Sequence, residues 1–431
     1  MLYTEEKRNI PVAGKYDVIV AGAGPSGISA AVAAARNGAK VLLLENLGGV
    51  GGISTSGLMS HFTGNVTSAM YSEILARSDS RNKRDSDGNM RTEAGNAINP
   101  EKLKMIYFDM LTEAKVDILL YTLVCGAITE NGKIKGVITE SKNGRRAFMA
   151  DVIIDATGDG DVAARAGAEY ILGREEDNAM QPATLMFKVG GVDLSKGVFF
   201  GGFEDTFETP KGELQELARK HLPHPAGHLL LYRSTLPGIV TCNMTNATGI
   251  DGTKAEDLTR GEMICRSQME PIVNFLKEFV PGFENCYIIS AASLLGIRET
   301  RHFKGVLTLT EHDILEAKVF ADWVVRDAWF NFDVHNITGA GLDKTGAQKK
   351  FTQNKGYTIP YGCLVPEKLD GLLLSGRNIS GTHMAHSNFR VMPICIGIGE
   401  AAGVAASIAV KNNIEARDVK AGDIQSVLLI S

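Results

Sequence analysis

The chain has 431 residues, of which 44% are hydrophobic and 22% charged. This composition is typical of a packed globular protein, and the length favours more than one domain. The formal net charge of −5 gives no electrostatic reason to expect a nucleic acid or an anionic membrane as a partner. The 47 glycines exceed the roughly 7% average usage, which indicates many tight turns and close approaches of the backbone to a ligand.

The sequence shows no targeting or membrane signal. Residues 1–15 have no apolar core, so we expect no signal peptide. The most apolar stretch, 394–410, contains Glu400 and several glycines, and we interpret it as a buried helix. The six cysteines form no Cys-x-x-Cys pair, which argues against a zinc cluster or a dithiol motif and fits a reducing compartment. We therefore expect a cytoplasmic protein.

The first predicted elements form a βαβ unit. Tyr16–Ala21 is a short apolar run that predicts a buried parallel strand. The alanine-rich residues 25–37 predict a helix that Gly38 ends, and 40–45 predict a second buried strand.

Later elements alternate between the two types. We predict helices at 100–114, 255–279 and 395–411, and strands at 118–128, 134–141, 152–156, 183–189, 229–235, 239–244 and 372–375. An Asn131-Gly132 turn joins the first two of these strands. The composition changes near residue 173. We therefore predict an α/β fold in which 1–172 and 291–431 build one discontinuous domain and 173–290 form an inserted α+β substrate domain.

The strongest motif is Gly22–Gly27, G-A-G-P-S-G, between a predicted strand and a predicted helix. Gly22 allows the tight turn, Gly24 lets the backbone approach a pyrophosphate, and Gly27 lets the helix pack closely on the sheet. Glu45 ends the second strand, where a carboxylate accepts hydrogen bonds from ribose hydroxyls. An isolated glycine turn is the alternative, but the full strand–helix–strand–acid context favours dinucleotide binding.

The segment 17–45 resembles the N-terminal FAD signature of glutathione-reductase-type flavoproteins. Residues 156–161, 243–253, 296–301 and 369–403 are similar to a bacterial subgroup called FAD-dependent oxidoreductases, whose superfamily includes fumarate reductase. The resemblance implies a Rossmann-like FAD-binding domain: a parallel sheet with helices on it and a small antiparallel β-layer. It implies FAD contacts from Gly22, Ala23, Gly24, Pro25, Ser26, Gly27, Glu45, Asn46, Gly51, Gly52, Ser54, Val124, Thr157, Gly158, Asp159, Gly376, Arg377, Asn378, Pro393 and Ile394.

Departures from this superfamily narrow the prediction. Arg377 and Asn378 stand where many relatives have an acidic residue, and Asn378 is the candidate to replace its contact with the ribityl chain. No second strand–G-x-G-x-x-G–helix unit is present for a nicotinamide domain, and without a Cys-x-x-Cys pair a disulfide reductase is disfavoured. The loop 51–56 has no histidine of the kind that attaches FAD in fumarate reductase relatives. We therefore expect non-covalent FAD.

Five residues are candidates for catalysis. Arg390 is placed to clamp a substrate carboxylate or to stabilise anionic reduced flavin, with a structural salt bridge as the alternative. His383 and His386 share a predicted loop and are candidate proton donors or flavin-edge contacts, although ordinary loop histidines are the slightly favoured interpretation. Their His-x-x-His spacing also suits a metal, but no carboxylate or cysteine is nearby in the sequence, so we expect none. Arg298 and Arg301 are candidates to bind a substrate carboxylate. The alternative is that they form an ion-pair network between the domains.

The leading prediction is an FAD-dependent dehydrogenase or reductase. It would transfer a hydride between FAD and a small organic substrate, for which a carboxylate is the first candidate, and exchange electrons with an unidentified donor or acceptor. The alternatives are an NAD-dependent dehydrogenase and a non-catalytic carrier on a flavoprotein fold. We expect no nucleic-acid or membrane partner, and the sequence allows a homo-oligomer.

Overall fold

The computed structural model describes residues 3, 6–59, 61–78, 97–199, 205–343 and 355–430. Its helices are α1 (Pro25–Arg36), α2 (Ala69–Arg77), α3 (Pro100–Glu113), α4 (Asp161–Arg165), α5 (Leu214–His221), α6 (Ala255–Phe279), α7 (Glu311–Leu315), α8 (His383–Phe389), α9 (Met392–Asn412) and α10 (Ala421–Leu428). Its strands are β1 (Val12–Ala21), β2 (Val41–Leu44), β3 (Asn65–Thr67), β4 (Asp117–Leu119), β5 (Leu123–Glu130), β6 (Lys133–Glu140), β7 (Arg146–Asp155), β8 (Tyr170–Leu172), β9 (Phe187–Gly190), β10 (Glu208–Thr209), β11 (Gly212–Glu213), β12 (Leu231–Arg233), β13 (Val240–Cys242), β14 (Tyr287–Ala291), β15 (Arg301–Phe303), β16 (Trp323–Trp329), β17 (Tyr357–Pro360) and β18 (Leu372–Leu374).

The main sheet combines parallel and antiparallel pairing. Its strand order is β4-β2-β1-β7-β6-β5, and β18 pairs with β7. All pairs among β4, β2, β1, β7 and β18 are parallel, while β5, β6 and β7 pair in antiparallel fashion. Asn131 and Gly132 both have positive φ and join β5 to β6, as a two-residue hairpin turn requires. The remaining strands form separate antiparallel sheets.

Helices α1 and α9 pack against each other because α9 presents glycine at the contact. A Cβ on Gly399 would overlap the carbonyl oxygen of Ser26, and a Cβ on Gly403 would overlap that of Ala30. Helix α9 is apolar enough along its length to cross a membrane, by composition alone, but 89% of its most apolar window is buried inside the protein. It is a core helix here, as the stretch 394–410 predicts.

Two hydrophobic cores lie in different parts of the chain. The first contains buried residues from 18–163 and 303–424, and the second from 183–295. The second packs α5 and α6 against the antiparallel sheet β12-β13-β9-β14. The fold is therefore mixed α/β, with a Rossmann-like, parallel-rich sheet and separate antiparallel sheets. The domain boundaries at 172/173 and 290/291 stay a prediction.

The predicted elements are largely confirmed. Helix α6 has the predicted bounds, while β1 begins at Val12 rather than Tyr16 because its first residues also pair with β7. Helix α9 begins at Met392 rather than 395, with Pro393 in its first turn, where a missing backbone N–H costs no hydrogen bond. The predicted loop that carries His383 and His386 is wrong, because Thr382 caps the helix α8 there.

Candidate active site

A cavity of about 1100 Å³ lies at the carboxyl ends of β1, β2, β7 and β18. Ligands of open parallel sheets bind at this edge. The volume exceeds the roughly 300–1,000 Å³ of ordinary small-molecule pockets. The cavity therefore has room for a dinucleotide and a second, smaller molecule.

The glycine loop 22–27 leaves its backbone open to this cavity. Gly22 has a φ of +95°, and a Cβ on Gly27 would overlap the Gly22 carbonyl oxygen, so α1 starts this close to β1 only with glycine at both positions. A Cβ on Gly24 would meet no atom within 4 Å. No side chain caps the start of α1, and its first turn has no acidic residue. The positive end of the helix is therefore available to an anion.

Glu45 is fixed in the cavity wall directly after β2. The N–H of Ala23 donates to its Oε2 at 2.7 Å, and the N–H of Leu47 donates to its Oε1 at 2.8 Å. Burial raises the pKa of Glu45, and these amide groups oppose that rise. A carboxylate accepts about four hydrogen bonds, so both oxygens retain capacity for hydroxyl groups of a ligand.

A second glycine segment follows β7 and is held by Asp155. The N–H and hydroxyl of Thr157 donate to Asp155 Oδ1 at 3.0 and 2.7 Å. Further along, Asp159 Oδ1 accepts from Thr300 Oγ1 at 2.6 Å and lies 2.7 Å from Arg377 Nη1. These contacts join the segments after β7, β14 and β18 at one side of the cavity.

The cavity wall also contains Arg298, Asp333, His335 and Arg390, which we call the arginine end. Arg390 Nη2 donates to the carboxylate and the carbonyl oxygen of Asp333 at 2.8 and 2.9 Å. Arg298 Nη1 donates to neutral acceptors, the Pro182 carbonyl at 2.5 Å and Thr184 Oγ1 at 2.8 Å. The arginine end thus has two guanidinium groups and one carboxylate, and that carboxylate is paired with Arg390.

Electrostatics at the arginine end reflect this surplus of positive charge. Burial and the neighbouring charge of Arg390 lower the pKa of Arg298 to about 10. Burial, and then the charge of Arg298, lower the pKa of His335 to about 4, so its ring is neutral at pH 7. Burial opposes ionisation of Asp333, but the charges of His335 and Arg390 outweigh it and hold the pKa of Asp333 well below its usual range.

Residues 17–428 match the family model described as FAD dependent oxidoreductase. The match covers nearly all of the 431 residues. The chain belongs to this family. FAD is therefore the cofactor of this FAD dependent oxidoreductase, as the resemblance of 17–45 predicts.

Solved structures show only distant likeness to this FAD dependent oxidoreductase. A geranylgeranyl bacteriochlorophyll reductase-like protein from Thermoplasma acidophilum is 15% identical, with 96% of this chain and 82% of that chain covered and a TM-score of 0.48. The p-nitrophenol 4-monooxygenase of Pseudomonas putida is 12% identical (93% and 81% covered, TM-score 0.48), and a myxobacterial chondrochloren halogenase is 13% identical (96% and 78% covered, TM-score 0.48). A search of curated proteins found no match. Likeness at this distance carries no argument about the substrate.

The residues at the cavity fit FAD. The uncapped amides at the start of α1 suit the pyrophosphate, and Glu45 suits the adenosine ribose. Of the predicted contacts, those that border the cavity are Gly22, Gly24, Pro25, Ser26, Glu45, Asn46, Gly52, Val124, Thr157, Gly158, Asp159, Gly376 and Arg377.

The other predicted cofactor residues do not border the cavity. Several of them hold residues of the cavity wall in position. Ala23 holds Glu45, Gly27 permits the helix contact, and Ser54 Oγ donates to the carbonyl of Gly51 at 2.6 Å, where Gly51 itself has a φ of +104°. Asn378 is fully buried and does not reach the cavity.

Asn378 and the start of α9 therefore correct two expectations. Asn378 Nδ2 donates to the Asp155 carbonyl at 3.0 Å and its Oδ1 accepts the Ser375 N–H at 3.1 Å, so it braces the two parallel strands instead of replacing the ribityl contact. Pro393 and Ile394 are buried and do not border the cavity. Their neighbours Met392 and Cys395 border the cavity instead, because they lie on the other face of this helical turn.

Arg298 and Arg390 border the cavity, whereas the other three catalytic candidates do not. Arg301 Nη1 donates to the Asp159 carbonyl at 2.7 Å and to Asp161 Oδ1 at 2.9 Å, which is the bracing network that the sequence leaves open. His383 and His386 lie on α8 among buried groups. A seven-residue helix in place of the predicted loop holds both rings away from the cavity.

Glu299, His302, His383 and His386 form what we call the histidine cluster. Glu299 Oε1 lies 2.8 Å from His302 Nε2 and 2.6 Å from His383 Nδ1. Burial opposes ionisation of Glu299, but hydrogen bonds from these two rings hold its pKa far below the usual range. His386 packs edge-to-face on His302, with 4.8 Å between ring centroids. The carboxylate partner that the sequence neighbourhood lacks is thus supplied by the fold.

The cavity residues that the sequence analysis does not single out include His61, Tyr232, Asp333 and His335. His61 stacks on Tyr232 with ring centroids 4.8 Å apart, and burial lowers the pKa of His61 to about 4 and raises that of Tyr232 to about 12. Asp333 and His335 lie in a stretch to which the family resemblance contributes little. The one sequence signal for these two residues is their Asp-x-His spacing, which follows shortly after the end of β16 at Trp329.

Proposed function

We propose that this FAD dependent oxidoreductase transfers a hydride between non-covalently bound FAD and a small organic anion, with a carboxylate as the leading candidate. The supporting observation is the charge count at the arginine end. Two guanidinium groups and one carboxylate leave one positive charge at the arginine end of the cavity wall. A buried charge without a partner of opposite sign is costly, and an anionic substrate would neutralise it.

Arg298 suits the anion better than Arg390 does. Arg390 is already paired with Asp333, while Arg298 Nη1 donates to two neutral oxygens. A guanidinium presents a planar fork of N–H donors that matches a carboxylate. In this proposal Asp333 orients Arg390, and Arg298 binds the substrate.

Proton transfer requires a group that is not already protonated. FAD, when bound, accepts or donates the hydride. His335 is neutral at pH 7 and lies in the cavity wall, with Nε2 3.4 Å from Asp333 Oδ1. We assign it the role of taking up the proton that the substrate loses, with Asp333 holding the ring in position.

Non-covalent attachment follows from the loop 51–56, which offers no histidine. We also place the chain in the glutathione-reductase and fumarate-reductase superfamily, on the strength of the pattern in 17–45. Acid precipitation should release the yellow cofactor into the supernatant as FAD. Colour retained in the precipitated protein would contradict the non-covalent assignment.

The substrate class is tested with pairs of small carboxylic acids and their primary amides. Under anaerobic conditions we expect some acids to bleach the oxidised flavin, or unsaturated or keto acids to reoxidise dithionite-reduced enzyme, while the matching amides react far more slowly. The variant Arg298→Met should lower kcat/KM for the acid about 10–100-fold, and the exposed Arg219→Met should not. Equal rates for acids and amides would refute the anion proposal, and flavin that no reductant bleaches would favour the carrier alternative.

A further inference from the structure

The histidine cluster lies outside the proposed reaction and has its own chemistry. None of its four members borders the cavity. Glu299, His302 and His386 are 0%, 3% and 1% exposed. Two stretches of chain supply them: the turn that leads into β15 and helix α8. Three titratable side chains are thus buried together at a junction of the fold, and the proposed reaction uses none of them.

Two ring nitrogens of the histidine cluster have no hydrogen-bond partner. Glu299 Oε1 faces His302 Nε2 and His383 Nδ1, and Glu299 Oε2 accepts the N–H of Gln181 at 3.2 Å. Nδ1 of His302 and Nδ1 of His386 are buried without a hydrogen-bond partner. Buried polar atoms in native proteins are almost always paired. His302 Nδ1 lies across its ring from Glu299, so the unpartnered atom that indicates a ligand beside this carboxylate is His386 Nδ1.

We propose that Glu299, His302 and His386 bind one divalent transition-metal ion, for which Zn²⁺ is the best match. Among the described residues, this group has one donor atom from each side chain within 4.8 Å of the others. Imidazole nitrogen and carboxylate oxygen are Zn²⁺ ligands, and the ion would replace the hydrogen bond between Glu299 Oε1 and His302 Nε2.

The geometry requires a modest contraction. Tetrahedral ligands at ~2.05 Å from Zn²⁺ lie about 3.3 Å apart, so the widest donor pair must close by about 1.5 Å. His383, already 2.6 Å from the carboxylate, either completes the coordination or keeps its hydrogen bond to Glu299. The ion would tie the turn before β15 to α8.

Metal uptake by the untagged, FAD-loaded protein is the test. The protein is stripped with EDTA, equilibrated with Zn²⁺, and its metal content is measured by mass spectrometry after dialysis. We expect one Zn²⁺ per chain and a higher Tm than in the stripped protein, because a ligand that binds only the folded state stabilises it. X-ray absorption at the zinc edge should show nitrogen and oxygen ligands, with imidazole, at about 2.0–2.1 Å.

Matched histidine variants locate the ion. His302→Gln and His386→Gln should abolish Zn²⁺ retention, and His312→Gln, whose side chain is 80% exposed, should leave it unchanged. Wild-type protein without Zn²⁺ above the blank would overturn the proposal, as would retention in both cluster variants or a sulfur-rich coordination shell. If a variant fails to fold, the wild-type stoichiometry and absorption spectrum still decide. None of these measurements uses turnover, so the outcome is independent of the proposed reaction.

Discussion

The two ends of the cavity recognise their ligands by different means. At the nucleotide end, the glycine loop 22–27 offers backbone amides, and Glu45 is locked by two backbone N–H groups. At the arginine end, Arg298, Asp333 and Arg390 offer side-chain charges. Backbone recognition needs glycine at fixed spacing in one stretch of chain. Side-chain recognition needs only that distant segments meet.

This difference predicts how each end responds to substitution. A substitution in the glycine loop leaves the backbone amides in place. It therefore impairs cofactor binding at the nucleotide end through steric overlap of the added side chain. The arginine end fails through unbalanced charge, because removing one member leaves the others buried without a partner.

Asp333→Ala should be the most destabilising single change. It removes the one carboxylate that pairs with Arg390 and leaves two guanidinium groups facing each other. We expect the free energy of unfolding to fall by about 3–5 kcal/mol, measured by chemical denaturation of the FAD-loaded protein. The double variant Asp333→Ala/Arg390→Met should recover part of the loss. A loss no larger than that of an exposed substitution would show that the charges are not coupled.

His335 should make stability depend on pH in mildly acidic solution. Its pKa is about 4 in the folded protein against 6.5 when unfolded, so the unfolded chain binds the extra proton first as pH falls. Stability from this group is complete above pH 6.5 and is lost as pH falls towards 4, by roughly 3 kcal/mol at most. A plot of unfolding free energy against pH over this range should be flatter for His335→Asn than for the wild-type protein. An unchanged slope in the variant would contradict the assigned pKa.

Gly27→Ala tests the steric side of the comparison. The added Cβ would overlap the Gly22 carbonyl oxygen, so α1 must move away from β1. We expect a loss of about 1–3 kcal/mol in unfolding free energy, together with weaker FAD retention. Gly422→Ala is the matched control, since a Cβ there meets no atom within 4 Å and the site lies in a helix. Wild-type FAD retention in Gly27→Ala would show that this close approach is dispensable.

The same difference explains what the sequence predicts well. Gly22, Gly24, Gly27 and Glu45 belong to one contiguous pattern whose spacing follows from the strand and helix that flank it, so the nucleotide end is readable without coordinates. The arginine end joins residues 298, 333 and 390, and nothing local in the sequence marks their meeting. His383 illustrates the limit: its partner Glu299 is 84 residues away, so neither the carboxylate nor the burial was visible.

Helix α9 shows an intermediate case. Its existence and burial follow from composition, but which turn faces the cavity depends on where the helix starts. A start at Met392 instead of 395 moves Pro393 and Ile394 into the core and places Met392 and Cys395 at the cavity. A shift of a few residues is thus enough to exchange the residues that face a ligand.

The most direct test of the account measures both ends in one pair of variants. Glu45→Gln should weaken FAD binding about tenfold and leave the affinity of FAD-loaded protein for a carboxylate, followed by perturbation of the flavin spectrum, unchanged. Arg298→Met should do the reverse: full FAD occupancy and carboxylate affinity lowered about 10–100-fold. If Arg298→Met instead loses FAD as readily as Glu45→Gln does, the arginine end holds the cofactor, and the separation of the two ends is wrong.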